Sequence, residues 1–170
     1  AKAIRVGDGL LPDTQMGPLQ NARRLEAASR LVEQAHGEGA RVETGGGRLG
    51  RQGFFFAPTV LSQVPASARI LAEEPFCPVA PIVGFDTFDE AIAQANATEF
   101  GLAAYAFTQR LDRAAEFTER IEAGWIGVNS FTPSLSDAPI GGMKDSGLGY
   151  EGGPEGLDAY MHIRFISQAN

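Results

Sequence analysis

Apolar residues recur at helical spacing in three stretches of the chain. The first stretch begins after Gly17-Pro18, because proline is favoured in the first turn of a helix, and Gly37 and Gly39 end it. The apolar face of this helix is predicted to comprise Leu25, Ala28, Leu31 or Val32, and Ala35.

Two further helices are predicted between short apolar segments in the middle of the chain. One begins at Thr87-Phe88-Asp89-Glu90, a capping box in which the Thr and Glu side chains each bond an otherwise unpaired backbone amide. Its predicted apolar face is Phe88, Ala91, Ile92 and Ala95, and that of the next helix is Leu111, Ala114, Ala115, Thr118 and Ile121. Gly124 ends the last of these helices.

Short apolar runs predict the strands. They span residues 40–44, 79–85, 102–108, 125–128 and 162–167. A further apolar run at 54–61 contains Pro58 and is predicted to be an edge or irregular segment. Strand–helix–strand–helix–strand order across 79–128, with short connections, predicts right-handed crossovers between parallel strands. The predicted fold class is therefore α/β, a parallel-rich open sheet with helices packed on it, followed by a C-terminal tail strand.

Composition and charge narrow the class of protein. The 170 residues suffice for one ordinary domain or two small ones, with 44% apolar and 21% charged residues, as in folded globular proteins. The net charge is −7 and the only lysines are Lys2 and Lys144, which argues against nucleic acid or an anionic membrane as a partner. No apolar stretch is as long as a membrane span. Because Cys77 is the only cysteine, no internal disulfide can form, and we expect a cytoplasmic protein.

The surrounding residues argue against three functional interpretations of motifs in the chain: a dinucleotide-binding loop, a nucleophilic cysteine and a metal site. Two segments match the dinucleotide-binding pattern GxGxxG, but the one at 45–50 opens no helix and the one at 147–152 follows a loop, so turn glycines are the better interpretation. Cys77 lies in an acidic segment, and neither His36 nor His162 has a context that places it beside the thiol. A spectator thiol is therefore favoured over the nucleophile of a cysteine hydrolase. No set of His, Cys and carboxylates has metal-ligand spacing.

A pair of carboxylates is the most informative chemistry in the chain. Glu73 and Glu74 precede Pro75 and Phe76. One interpretation is a solvated helix end. The other is a carboxylate that accepts hydrogen bonds from the hydroxyls of a sugar, beside an aromatic ring that packs on a ligand. The residues alone leave both interpretations open. The aperiodic segment 129–153, dense in Gly, Pro, Ser and Asp, is predicted to be a functional loop.

Motifs along the whole chain resemble those of the aldehyde dehydrogenase superfamily. Residues 73–79 (EEPFCPV) are similar to its EExFGP segment, and residues 96–104 (NATEFGLAA) resemble its N-x-x-x-YGLAA stretch. Residues 127–129 (GVN) and 139–149 (PIGGMKDSGLG) resemble its VN…PFGGxKxSGxG block. Residues 151–156 (EGGPEG) are most similar to the succinate-semialdehyde dehydrogenase group.

The resemblance implies an oxidoreductase that uses NAD or NADP. In this family a cysteine attacks the aldehyde, hydride passes from the thiohemiacetal to the nicotinamide, and a glutamate activates the water that hydrolyses the thioester. The chain would be the C-terminal part of such an enzyme, with residues 1–160 in the second half of the catalytic domain and 161–170 as an oligomerisation tail. The nucleophile, the base and the main nucleotide-binding fold are then expected upstream of Ala1, so that this chain alone is inactive and holds no catalytic residue.

Individual roles follow from the same resemblance. Glu74 would hold the nicotinamide ribose hydroxyls, Phe76 would pack near the nicotinamide, and Asn129 would brace the loop that follows it. The residues implied to line the mouth of the aldehyde tunnel are Thr132, Ser134 and Ile140. Among these, Ser134 would hydrogen-bond the distal carboxylate of succinate semialdehyde or a similar semialdehyde.

The chain departs from the family pattern at two positions. Ile140 replaces a usual Phe, which reshapes the substrate pocket. Cys77 stands where the family has Gly, so a positive φ there would strain the backbone. The alternative to part of an oligomeric enzyme is a stand-alone, non-catalytic remnant of the same fold that acts as a binding or interaction module.

Overall fold

The computed structural model describes residues 1–131 and 135–169. The chain divides into two compact units, Ala1–Asp86 and Thr87–Asn170. We treat each of them by itself, since each has its own hydrophobic core.

The first unit packs one helix against a small mixed sheet. Its elements are α1 (Ala22–Gly37), β1 (Arg41–Thr44), β2 (Thr59–Ser62), a 3-10 turn (Arg69–Leu71) and β3 (Val79–Pro81). The strand order is β1-β2-β3, with β1 antiparallel and β3 parallel to β2. The largest fully buried side chains are Phe56 and Leu61.

Helix α1 confirms the predicted apolar face. Leu25, Ala28, Leu31, Val32 and Ala35 are all buried in the core of the first unit. The helix begins at Ala22, later than Pro18, because Asn21 caps it. The Asn21 side-chain oxygen Oδ1 accepts a hydrogen bond from the backbone N–H of Arg24 at 3.0 Å.

The strands of the first unit differ from expectation in two places. The segment predicted to be an edge because of Pro58 contains the central strand, since β2 begins directly after the proline and so needs no hydrogen bond from it. The strand predicted at 79–85 ends at Pro81, and both Ile82 and Phe85 are exposed.

The second unit combines α-helices with short strands in the residues that the structure describes. Its elements are α2 (Phe88–Asn96), β4 (Phe100–Gly101), β5 (Ala103–Ala106), α3 (Leu111–Arg120), β6 (Trp125–Val128), β7 (Met143–Lys144) and a 3-10 helix (Pro154–Tyr160). Strands β5 and β6 are parallel, as predicted, and α2 begins at the predicted Thr87 cap. Strand β7, which was not predicted, lies inside the long loop 129–153 and pairs antiparallel with β4.

The buried face of α3 differs from the prediction. Of the predicted face, Ile121 is buried, but Leu111 is 88% exposed and Thr118 is also exposed. Phe117, which was not in the predicted face, is buried beside Ile92 of α2. Phe117 lies three residues after Ala114 and four before Ile121, so the same helical spacing also fits the face that the protein buries. The largest apolar side chain decided between the two registers.

The α/β class is confirmed. In the described residues the strands form one three-stranded sheet in the first unit and two separate two-stranded sheets in the second. No ladder hydrogen bonds form at 162–167 within the described residues, so the predicted tail strand is not a strand of this unit. Ile163 and Phe165 of that segment are almost fully exposed. Among the described residues, no helix is long and apolar enough to cross a membrane.

Thr59 offers a direct test of how the first unit is held together. It is 2% exposed, accepts a hydrogen bond from the Gly46 N–H at 2.8 Å and donates one to the Ala57 carbonyl at 2.7 Å. Replacing Thr59→Val keeps the shape but leaves both backbone groups without their partner. We expect a loss of about 1–3 kcal/mol in the free energy of unfolding, measured by urea denaturation. Thr59→Ser keeps the hydroxyl, and an equal loss in that variant would contradict the hydrogen-bond explanation.

Candidate functional site

The structure separates the roles of the two adjacent carboxylates. Glu73 pairs with the guanidinium of Arg69, one helical turn earlier in the chain. The backbone N–H of Arg69 also donates to Glu38 Oε2 at 3.1 Å. Glu74 is exposed, and no hydrogen bond or ion pair of the described residues engages its carboxylate. The carboxylate that remains available to a ligand is therefore that of Glu74.

The Phe76 ring projects from the surface of the first unit. Phe76 is 63% exposed, and the guanidinium carbon of Arg24 lies 5.2 Å from the centre of its ring. Its φ is +40°, in the left-handed region that bulky residues rarely adopt. Pro75 and Pro78 flank the residue pair 76–77 and restrict the backbone on both sides. Glu74 and Phe76 thus lie on one short, stiff, exposed segment that leads into β3.

Cys77 is a half-buried thiol that packs against the core of the first unit. Burial raises the pKa of the Cys77 thiol above its ordinary value, and a backbone hydrogen bond with Val79 and the nearby charge of Arg24 oppose this shift. Little thiolate therefore exists at neutral pH, which agrees with a spectator thiol. The positive φ that would strain Cys77 falls on Phe76 instead, so this cysteine replaces the family's glycine without backbone strain.

Asn129 joins the carboxyl ends of the parallel strands β5 and β6. Its Oδ1 accepts a hydrogen bond from the Thr108 N–H, and its Nδ2 donates one to the Thr108 carbonyl, both at 2.9 Å. The backbone N–H of Asn129 donates to the Ala106 carbonyl at 2.8 Å. The φ of Asn129 is +54°, a conformation that Asn tolerates better than most residues. The side chain therefore ties the start of the 129–153 loop to Thr108, a geometry suited to the expected bracing role.

Only one of the three residues expected at the tunnel mouth lies in the described part of the chain. Ile140 is half-buried and forms an antiparallel bridge with Glu151, through N–H to carbonyl bonds of 2.7 and 2.8 Å. Thr132 and Ser134 lie outside the described residues. Glu74 and Phe76 are brought together in the first unit, and Asn129 and Ile140 belong to the same loop of the second.

Lys144 has a positioning role that the sequence pattern did not reveal. Its ammonium group donates to the carbonyls of Asn96 and Thr98 at 2.8 and 3.1 Å, and it pairs with Glu122 Oε2 at 2.5 Å. These carbonyls lie at the end of α2, where a helix leaves its last acceptors unpaired. The sequence feature that could have indicated this role is the position of Lys144, a long charged side chain within the glycine-rich segment 139–149.

Two glycines of the same region are required by close backbone contact. A Cβ atom on Gly124 would collide with the carbonyl of Gly141. A Cβ on Gly141 would lie 2.6 Å from the carbonyl oxygen of Gly149 and 2.5 Å from the Tyr150 ring. Gly141 therefore allows the loop to pack closely against Gly124, the residue before β6.

The remaining candidates for chemistry are structural. His36 Nδ1 lies 3.0 Å from the Ala40 carbonyl oxygen at the end of α1. In residues 1–131 and 135–169, no group of three or more His, Cys, Asp or Glu could hold a metal ion. The glycines at 45, 46 and 50 have positive φ and form a turn that no helix follows, as predicted.

Comparison with known proteins places the fold and these motifs in one family. Residues 1–166 match the model of the aldehyde dehydrogenase family. The chain is 44% identical over 165 residues to 4-(hydroxymethyl)benzenesulfonate dehydrogenase TsaD1 of Comamonas testosteroni, covering 97% of this chain and 34% of that protein. It is 39% identical, with the same coverage, to a probable succinate-semialdehyde dehydrogenase (NADP+) of Sinorhizobium fredii.

Solved structures agree with the sequence relatives. The betaine aldehyde dehydrogenase of Staphylococcus aureus in complex with NAD+ superposes with a TM-score of 0.89 and 38% identity, over 94% of this chain and 32% of that one. The chain belongs to the aldehyde dehydrogenase family, and the resemblance in its motifs is confirmed. It spans about a third of the length of the relatives that it matches.

The brace formed by Asn129 can be tested by its removal. Asn129→Ala eliminates both hydrogen bonds with Thr108 and places a residue that disfavours the left-handed region at φ +54°. We expect the free energy of unfolding to fall by about 1–3 kcal/mol in urea denaturation. Gln109→Ala is the control, because this neighbouring side chain is exposed. Equal stabilities of the two variants would show that Asn129 does not brace the loop.

Proposed function

We propose that this chain supplies part of the active site of an NAD(P)-dependent aldehyde dehydrogenase. The observation that carries the proposal is that Arg69 pairs with Glu73, whereas Glu74, two residues before the exposed ring of Phe76, is exposed and has no partner among the residues that the structure describes. A carboxylate can accept hydrogen bonds from both hydroxyls of a ribose, and the face of Phe76 can pack on a planar nicotinamide. The NAD+ complex and the NADP+ named for the two relatives above support this coenzyme class.

The proposed reaction oxidises an aldehyde to a carboxylate through a covalent cysteine intermediate, with bound NAD(P)+ supplying the hydride acceptor. Cys77 does not fit the nucleophile, because it is half-buried and burial raises its pKa. The reacting cysteine and the glutamate that activates water are therefore proposed to lie outside these 170 residues. The contribution of this chain is to hold the coenzyme through Glu74 and Phe76 and to shape the approach of the aldehyde.

The proposed substrate class is an aldehyde with an anionic group at its far end, such as a semialdehyde. The names of two relatives support this, since both succinate semialdehyde and a benzenesulfonate carry an anion remote from the oxidised carbon. The Ser134 hydroxyl is the group proposed to hydrogen-bond that anion, with Thr132 and Ile140 beside it. Ile140 is smaller than the Phe usual in the family, which leaves more room in the pocket.

The assembly proposed for the whole protein is a homo-oligomer formed through the C-terminal segment. Residues 162–167 form no strand hydrogen bonds with the described part of the chain, and Ile163, Phe165 and Ile166 are exposed. An extended segment with unpaired backbone groups and apolar side chains is suited to pairing with the sheet edge of a second copy.

The proposed role of Glu74 is tested in a longer polypeptide that joins this chain to its catalytic cysteine segment. Glu74→Gln removes the charge that strengthens hydrogen bonds to ribose hydroxyls, so we expect hydride transfer to slow by about tenfold or more. Single-turnover formation of NAD(P)H is the measurement. Glu73→Gln is the matched control, because that carboxylate already pairs with Arg69 and should leave hydride transfer unchanged. Wild-type rates in Glu74→Gln would refute the assignment.

The substrate proposal is tested with a pair of aldehydes in the same polypeptide. Ser134→Ala should raise the KM for succinate semialdehyde by about tenfold, the cost of losing a hydrogen bond to a charged group. The KM for butanal, which has the same chain length and no distal carboxylate, should not change. A similar change for both aldehydes would mean that Ser134 shapes the pocket without recognising an anion.

A further inference from the structure

We propose that Arg24 is a positioning residue for Phe76, whose ring it holds in place over the left-handed backbone turn. The proposal rests on the proposed function in one respect: Phe76 matters to the reaction only if it packs on the nicotinamide. The contact between the two side chains is a property of the first unit and stands independently of any coenzyme.

The first step of the argument is that Arg24 has no competing charged partner. No ion pair of the described residues includes Arg24, and its guanidinium lies 5.2 Å from the centre of the Phe76 ring. The other two cation–π contacts in the described ranges differ in this respect. Arg113 and Arg120, which both lie over Phe88, are also engaged by carboxylates. In the described residues, the guanidinium of Arg24 therefore contacts the Phe76 ring without also pairing with a carboxylate.

The second step is that Arg24 is itself well anchored. Its backbone N–H donates to the cap residue Asn21 at 3.0 Å, and the next residue, Leu25, is buried in the core. The side chain of Arg24 is half-buried, whereas that of Arg23 is exposed. The side chain of Arg24 thus starts from a capped helix end and is half-buried, so it loses less freedom on contact with the ring than an exposed arginine would.

The third step is that Phe76 needs such a support. With 63% of its surface exposed, the ring gains little from core packing, and a φ of +40° is unfavourable for a bulky residue. A contact that fixes the ring therefore also fixes the backbone of the segment that carries Glu74. The arginine sets the position of both proposed coenzyme-binding side chains without touching the coenzyme.

The single thiol of the chain provides a readout. Cys77 directly follows Phe76, is half-buried, and is the only cysteine, so its modification reports access to this segment. The rate of reaction of the 170-residue chain with iodoacetamide, an uncharged thiol reagent whose approach does not depend on the charge of Arg24, is measured over a range of pH, without coenzyme. The profile gives the rate constant of the thiolate, which reports access, separately from the pKa of the thiol.

Arg24→Gln should raise the thiolate rate constant about two- to fivefold, the factor that corresponds to a cation–π contact at an exposed site. Arg24→Lys keeps a cation and should give a smaller increase. Arg23→Gln makes the same change of charge at the neighbouring exposed position and should have no effect. In a Phe76→Leu background, Arg24→Gln should produce no further increase, because the arginine acts through the ring.

Three results would overturn the proposal. One is an unchanged thiolate rate constant in Arg24→Gln. This includes the case in which the pKa of Cys77 rises but the rate constant does not, since Arg24 would then act on the thiol only through its charge. Another is an equal increase with and without the Phe76 ring. The third is an equal increase in Arg23→Gln. Failure of the Glu74→Gln experiment would refute the proposed coenzyme role and leave this measurement unaffected, because no coenzyme is present in it.

Discussion

The second unit depends on side chains that close the ends of its helices. The Lys144 ammonium satisfies the carbonyls of Asn96 and Thr98 at the end of α2. Asn96 in turn donates from Nδ2 to the Arg120 carbonyl at 2.8 Å and accepts from the Glu122 N–H at 2.9 Å, which closes the end of α3. Because helix ends leave backbone groups unpaired, these few bonds fix how both helices join the strands that follow. The Lys144 strand, β7, begins where the loop returns to this network.

Local features of this architecture could be predicted from the sequence, because the residues that determine them are close together in the chain. The Thr87 cap and the face of α1 are set by residues within two helical turns. The face of α3 was predicted correctly at Ile121 but wrongly at Leu111 and Thr118, since spacing allowed two registers and the choice depends on how well Phe117 fits a core built from other elements. Spacing gives the period of a helix, while packing selects its rotation.

Long-range features could not be predicted in this way. Lys144 and Asn96 are 48 positions apart, and nothing in the composition of either segment pairs an ammonium with those carbonyls. The strain in the site segment is a second example. A cysteine in place of a glycine suggested a strained residue at 77, but the prolines on both sides place the left-handed turn at Phe76. The motif indicated that the backbone is unusual there, and the structure shows which residue adopts the unusual conformation.

The ion pair between Arg69 and Glu73 supports the proposed role of the neighbouring carboxylate, Glu74. Glu73 and Glu74 are chemically identical, and the motif alone does not explain why one should bind a ligand. Arg69 lies four residues before Glu73, a spacing at which opposite charges meet on a helical turn, and this signal was present in the sequence. Arg69 engages Glu73, whereas Glu74 is exposed and has no cation partner in the described part of the chain. A carboxylate that forms no ion pair keeps all its lone pairs for hydroxyl donors, which suits the ribose-binding role proposed for Glu74.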